Sequence, residues 1–183
     1  ACVVLADIDD GALEDARGGF AKRYGVDQVR TVRFDVTDEA GVAEGFSSAL
    51  AEFGGLDILV SNAGIASSAP VEATELSMWQ RNIDILATGY FLVAREAFRL
   101  FRRQKLGGNV VFVASKNGLA ASPGASAYCT AKAAEIHLAR CLALEGADAG
   151  IRVNVVAPGP TWSALQVSQG VSDEQMKAFD DES

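Results

Sequence analysis

Histidine is nearly absent from this 183-residue chain, with His137 its one example. A catalytic triad built on imidazole would depend on that single ring, and no nucleophile-elbow motif accompanies it. His137 falls in a helical stretch three residues before Arg140, so it is expected to be an ordinary helix position. Cysteine is scarce as well. Cys2, Cys129 and Cys141 show no metal-ligand spacing and leave one over from any pairing, so reduced thiols and no metal centre are expected. Basic charge is short: 16 Lys and Arg stand against 24 Asp and Glu, a net charge of -8. Such a balance argues against a surface that coats phosphates, and hence against nucleic acid as a partner. No apolar run approaches the roughly 20 residues that span a bilayer. No cationic, apolar leader opens the chain. The expectation is a cytoplasmic protein with no membrane partner.

What is present fits a single domain over residues 1–183, with 49% hydrophobic and 22% charged residues. The chain opens on Ala1 inside an apolar run and closes on the polar "QMKAFDDES" without a final strand. A fragment truncated at both ends is expected.

Short apolar runs alternate with helical ones. "ACVVLAD" (1–7), "QVRTVRFDV" (28–36), "LDILVSNAG" (56–64), "GNVVFVAS" (108–115) and "IRVNVVAPG" (151–159) read as strands. Between them, "DDGALEDARGGFAKRYG" has helical spacing and stops at glycine. "TDEAGVAEGFSSALAEFGG" follows with Thr37 as its expected N-cap and Glu39 in its first turn. A long helical segment covers about 75–104, and a further helix covers 126–147. Strands that are apolar throughout suit a parallel sheet covered by helices on both faces, so a doubly wound α/β sheet is predicted. Ligands in such sheets lie beyond the carboxyl ends of the strands.

Polar residues follow those strand ends. Asp7 after the first could accept hydrogen bonds from both hydroxyls of an adenosine ribose and would repel a 2′-phosphate. The plainer reading is an acid that caps the next helix. Asp35 after the second could reach an adenine amino group, or again cap a helix. After the third, the Asn62 amide can bridge strand ends and Gly64 permits close backbone approach, where a plain turn is the alternative. Ser115 follows the fourth, thirteen residues before Tyr128. Pro158 and Gly159 follow the fifth, small enough there to admit a flat ring.

Within "SAYCTAK" (126–132), Tyr128 and Lys132 are four residues apart and share a helix face. A free phenol, with a pKa near about 10, is a poor base at neutral pH. A neighbouring ammonium is expected to lower it. Ser115 would hold the substrate oxygen, Tyr128 would exchange its proton, and Lys132 would tune Tyr128. Tyr-x-x-x-Lys alone is a weak signal; the serine, the fold and the other strand ends give it weight.

"VVLADID", "DVTD", "DILVSNAG", "MWQRNIDILATGYFL", "GGNVVFVAS", "SAYCTAK" and "IRVNVVAPG" occur in the order found in short-chain dehydrogenases/reductases, which the chain resembles over nearly its whole length. The resemblance implies a Rossmann-like sheet, an NAD(P) cofactor, hydride transfer at an alcohol carbon of a small-molecule substrate, and a homotetramer. It matches Ser115, Tyr128 and Lys132 to the catalytic serine, tyrosine and lysine, with Lys132 also on the nicotinamide ribose. It matches Asn62, Ala63 and Gly64 to the motif beside the cofactor, Asp35 and Val36 to the adenine contacts, and Asp7 to the ribose selector that favours NAD over NADP. More narrowly, "VASKNGLAASPGASAYCTAKAAEIHLAR", with its Lys116 and Asn117, is similar to the dehydrogenase part of bifunctional rhamnulose-phosphate aldolase/alcohol dehydrogenases, whereas "APGPTWS" is closer to the general family.

Two departures stand out. The family's further catalytic asparagine is matched by Leu86, which cannot hold the water that would link Lys132 to solvent. Asn82 lies one turn earlier on the same expected face, its amide about 6 Å away along the axis. Slower turnover is expected, not a dead site. The glycine-rich phosphate loop with its strand and the family's last strand are both missing from these residues. Without that first strand the sheet is expected to carry a gap or two unpaired inner edges. Two rival readings remain: a non-catalytic member that binds nucleotide or partners, and an α/β methyltransferase, which leaves the serine, tyrosine and lysine unexplained. The alanine-rich faces of 75–104 and 126–147 suit either subunit contacts or the sheet, and "FRLFRRQK" (98–105) a solvated helix end.

Overall fold

A computed structural model describes residues 1–161. Among these residues the chain runs β1 (Val3–Asp7), α1 (Asp10–Tyr24), β2 (Val29–Arg33), α2 (Glu39–Phe53), β3 (Ile58–Ser61), α3 (Leu76–Asn82), α4 (Gly89–Gln104), β4 (Gly108–Val113), α5 (Ser126–Gly146) and β5 (Ile151–Val156). All strand pairs are parallel, and the alternation expected from sequence is realised. Each strand is shorter than its apolar run. The region after "APGPT", which the sequence assigns to substrate selection, lies outside the described residues.

Local chemistry accounts for the helix boundaries. The Asp9 carboxylate accepts the Ala12 N–H at 3.0 Å and starts α1, which the Gly25 N–H closes on the Ala21 carbonyl. In α2 the cap is Asp38, accepting from Ala40 N–H at 3.1 Å, one residue later than the expected Thr37. Thr37 is engaged elsewhere: its N–H and hydroxyl both bond the Asp35 carboxylate, each at 2.8 Å. The long helical segment is real but interrupted. Ile83–Thr88 form a π turn between α3 and α4.

The sheet is split. β1 pairs only with β2, while β3, β4 and β5 form a second sheet in that order. The gap lies between β1 and β3, where the missing strand was expected, and each of these strands presents an unpaired backbone edge toward it. The core sits on one face of the larger sheet. Phe112 and Val110 of β4 and Ile151 of β5 pack against Tyr90, Ala94, Ala97, Phe98 and Phe101 of α4 and Ala139 and Leu142 of α5. Full burial of each large apolar side chain there contributes about 1.5–3 kcal/mol. The strand residues of opposite parity are uncovered: Ile58 and Val60 are 57% and 58% exposed, and Val156 is 52%. α2 bridges the two sheets, its Glu39 bonded to Arg95 of α4 at 2.7 Å. No helix among the described residues is long and apolar enough to cross a membrane. In "FRLFRRQK", Phe98, Leu100 and Phe101 are buried while Arg99, Arg102 and Arg103 are exposed, as a solvated helix end requires.

Candidate active site

β4 ends at Val113, and Ser115 follows two residues later. The Ser115 hydroxyl accepts the Asn117 N–H at 3.2 Å and opens a single 3-10 turn, Lys116–Gly118. This turn lies directly on α5. A Cβ at position 118 would come within 2.6 Å of the Lys132 carbonyl and 2.7 Å of the Ile136 side chain, so only glycine lets the two segments touch. The glycine in "SKNGL" was legible as a small residue, but nothing in the sequence says against which helix it packs. The turn is also tied to the end of β5 through Lys116 N–H on the Pro158 carbonyl at 2.9 Å, which places Pro158 and Gly159 beside Ser115.

The start of α5 is held from the other side. Gly124, at φ 70°, turns its carbonyl toward the loop after β3, where it accepts from Ala69 N–H at 2.7 Å and the Ser68 hydroxyl at 3.1 Å. The segment after Asn62, Ala63 and Gly64 is thereby fastened to the helix that carries Tyr128. All three of those residues are exposed. A Cβ on Gly64 would sit 3.4 Å from the Leu86 side chain, so the bare backbone here passes close over the π turn.

Tyr128 and Lys132 share a face of α5 as the spacing requires, with the Lys132 ammonium 5.9 Å from the Tyr128 ring centre. Their electrostatics differ from the sequence expectation. Lys132 is 4% exposed, and its Nζ donates to the Val113 carbonyl at 3.1 Å and to Glu135 Oε2 at 3.1 Å. Glu135 Oε1 lies 2.9 Å from Nζ as an ion-pair contact without hydrogen-bond geometry. The ammonium is thus engaged by a carboxylate and does not depress the phenol. Burial pushes the Tyr128 hydroxyl above its ordinary range, a hydrogen-bonding contact with Ser115 lowers it, and the charge of Glu135 raises it again. Expecting a phenol lowered by its lysine neighbour was wrong for this state. The reason is burial of the hydroxyl first, with the buried Glu135 three residues after the lysine adding to it.

Tyr90 of α4 is a further residue that the sequence reading missed. It is 1% exposed, donates to the same Val113 carbonyl at 2.9 Å, meets Phe112 edge-on at 5.0 Å, and has the Lys132 ammonium 5.3 Å from its ring centre. Burial raises its hydroxyl strongly, so it stays a neutral donor. One carbonyl at the end of β4 therefore anchors both α4 and Lys132.

The Lys132–Glu135 pair also makes stability depend on pH. Burial pushes the Glu135 carboxyl up to about 8, against an ordinary 4.5, even though the Lys132 charge pulls it down. Between those values the folded chain keeps a proton that the unfolded chain has released, so stability falls as pH rises through this window and levels off above it. Lys132, lowered mainly by burial, acts in the opposite sense only at higher pH, below its ordinary 10.5. Urea-denaturation midpoints are expected to decline across the Glu135 window in the wild type and to stay flatter in Glu135→Gln.

Asn82 does not stand in for an amide at position 86. It is fully buried, its Nδ2 donating to the Ser67 hydroxyl and the Met78 carbonyl, both at 2.8 Å. Its Oδ1 has no partner. Leu86 is fully buried too. Asp7 and Asp35 lie at the far side of the gap, at the ends of β1 and β2. Neither caps the next helix, which Asp9 and Asp38 do: Asp7 accepts the Asp9 N–H at 3.0 Å, and Asp35 closes the turn onto Thr37. Asp7 remains exposed, Asp35 is half-buried, and both keep acceptor capacity. A Cβ at Gly89 would come 2.9 Å from Val36, which is how the β2 end meets the start of α4. The nearest defined groove, lined by residues that include Ile8, Arg33, Asp35 and Asp38, belongs to this side and does not reach Ser115. His137, Cys2 and Cys141 are exposed, and Cys129 is half-buried.

The profile of the family described as short chain dehydrogenase matches residues 1–173. Over 156 residues the chain is 47% identical to the uncharacterized oxidoreductase YuxG of Bacillus subtilis (strain 168), covering 85% of this chain and 23% of that protein. Its structure superposes on an NAD+-bound xylitol dehydrogenase at a TM-score of 0.87 with 33% identity, covering 93% of this chain and 65% of that one. It also superposes on a gluconate 5-dehydrogenase of Burkholderia cenocepacia J2315 in complex with NADP and tartrate, at a TM-score of 0.85 and 27% identity, covering 96% and 68%. The chain thus spans about a quarter of the length of the first relative and about two thirds of each of the other two.

Proposed function

The chain belongs to the short-chain dehydrogenase family, and from that premise we propose that the protein carrying it transfers a hydride between NAD and the carbinol carbon of a small alcohol or sugar-derived hydroxy compound. The observation that carries this reading is Tyr128 and Lys132 on one face of α5, the ammonium 5.9 Å from the Tyr128 ring centre and held on the Val113 carbonyl at the end of β4, just before Ser115. Ser115 holds the reacting oxygen of the substrate. Tyr128 exchanges the hydroxyl proton with that oxygen, and the Ser115 contact is the one neighbour that favours its ionised form. Lys132, anchored on Val113, orders this end of α5.

Bound NAD would supply the hydride acceptor. The residues that would hold it are Asp7 on the adenosine ribose, Asp35 and Val36 at the adenine, Asn62, Ala63 and Gly64 beside the nicotinamide half with Tyr128 and Lys132, and Pro158 and Gly159 against the ring. The fit rests on bare, exposed backbone at Asn62–Gly64 and on the free acceptor capacity of Asp7. The solved relatives hold NAD+ in one case and NADP in the other, and the exposed Asp7 carboxylate is what favours NAD here. Replacing Asp7 by alanine is expected to shift the ratio of kcat/KM for NAD over NADP by about 10- to 100-fold toward NADP, the scale of losing hydrogen bonds to a charged acceptor. Parallel kinetics with both cofactors measure this.

The unpaired edges of β1 and β3 favour a piece of a longer protein, with the strand between them supplied from outside these residues. The YuxG match, covering 23% of that relative, is compatible with a bifunctional parent that includes a sugar-phosphate aldolase. A cytoplasmic homo-oligomer that works in carbohydrate metabolism is the corresponding setting. The second reading, a non-catalytic nucleotide-binding or interaction member, draws its support from Leu86 and from the lack of a glycine-rich phosphate loop in these residues. An NAD-reduction screen of the full-length protein across small hydroxy-aldehydes, diols and sugar alcohols tests the proposal. Turnover of none of them, despite measurable NAD binding, would favour the non-catalytic reading.

A further inference from the structure

Glu135 has no part in the chemistry assigned so far, yet its carboxylate is the charged group buried most deeply beside that chemistry. It is fully buried, while the lysine it faces is 4% exposed. Two buried opposite charges gain little net stability over apolar residues of similar size, so burial here asks for a reason other than stability. The pair lies between α5, the end of β4 and Tyr90 of α4. The other titratable groups facing Glu135 are Tyr90 from α4 and Tyr128 from α5 itself; β4 presents only the Val113 carbonyl. Leu86, fully buried and apolar, cannot hold a water for Lys132. Nζ has two acceptors within about a hydrogen-bond length, and of these only the carboxylate can take a proton.

We propose that Glu135 is a positioning residue of the reaction: its carboxylate fixes Lys132 against β4 and is the internal acceptor of the Lys132 proton. This rests on the oxidoreductase reading above. In the transfer, one Nζ–H bond breaks with its electron pair left on nitrogen, and an O–H bond forms on Oε2. The step needs Glu135 ionised and so runs above the window in which its carboxyl keeps a proton; the ammonium–carboxylate pair becomes an amine and a carboxylic acid, and the net charge of the pair stays zero. Burial favours the exchange, since it raises the carboxyl and lowers the amine toward one another. Lys132 can then change protonation with no water at position 86.

The test uses the full-length protein with the best substrate from the screen. Glu135→Gln, which keeps size but cannot accept a proton, is expected to lower kcat about 10-fold or more and to move the pH profile of kcat by about one unit or more, with KM changed less than about 2-fold. Glu135→Asp should recover part of the loss, and adding Leu86→Asn to Glu135→Gln should restore turnover by reopening a path for water. Wild-type kcat and pH profile in a folded Glu135→Gln would overturn the proposal. If that variant does not fold, the infrared difference spectrum of the wild type between about pH 6 and about pH 10 decides. A buried protonated-carboxyl band that is lost toward the higher pH and shifts in frequency in Glu135→Asp supports the acceptor, and its absence from the wild type refutes it. Tyr128→Phe run alongside separates the two ideas. Absence of NAD reduction in the wild type sinks the oxidoreductase reading, turnover surviving in Tyr128→Phe moves the proton to another group, and a dead Tyr128→Phe beside an unaffected Glu135→Gln sinks only the role of Glu135.

Discussion

Tyr128→Phe in the full-length protein is expected to lower kcat by about 10²- to 10⁴-fold, the span that a positioned acid–base group contributes. Cofactor affinity, measured by NADH fluorescence, should fall by no more than about 10-fold, because the ring keeps its place on α5 and only one of the groups that would hold NAD loses its hydroxyl. The argument is one of connectivity. Of the residues gathered at the end of β4, Tyr90 is locked onto the Val113 carbonyl and kept neutral by burial, and Lys132 is engaged by Glu135 and the same carbonyl. Ser115 already accepts a backbone N–H. Tyr128, half-buried, is the remaining titratable hydroxyl there, and Ser115 acts on it to favour its ionised form. A phenylalanine enzyme with near-normal kcat would mean that the proton travels by another group.

Phe112→Ala is expected to destabilise the fold by about 3–5 kcal/mol, read as a fall in the urea midpoint with the m-value unchanged. Phe112 is fully buried near the end of β4, with Tyr90 packed edge-on against it and the α4 and α5 side chains around both. The void cannot collapse easily, because its walls are a paired strand and two helices. Function should suffer beyond stability. Tyr90 leans on Phe112, and its hydroxyl shares the Val113 carbonyl with Lys132. At temperatures where the variant is still fully folded, a kcat loss larger than any KM change would show that the aromatic pair also positions the site.

Strand order, helix order and the gap were legible because each rests on a local pattern: an apolar run, a cap, a turn. Ser115, Tyr128 and Lys132 were legible for the same reason, since an i, i+4 pair on a helix and a polar residue after a strand are read directly from spacing. What escaped depends on which distant surfaces meet. Tyr90 looks like any aromatic in an apolar helix until β4 brings a carbonyl to its hydroxyl. Glu135 looks like a solvated acid in "KAAEIH" until its face of α5 meets the end of β4 and Tyr90 of α4. The cap on α2 moved from Thr37 to Asp38 because Asp35 competes for the threonine. The π turn at Ile83–Thr88 leaves no local signature, and it is one reason that counting helical turns from Asn82 to Leu86 misleads.

The seam between the two sheets has a practical consequence. A line of free amide and carbonyl groups on the inner edge of β3, next to Ile58 and Val60, is a template on which a foreign strand can lay itself. Handled apart from whatever segment fills that slot, the polypeptide should associate with itself as concentration rises, by edge-to-edge pairing that a short peptide of matching strand pattern would suppress.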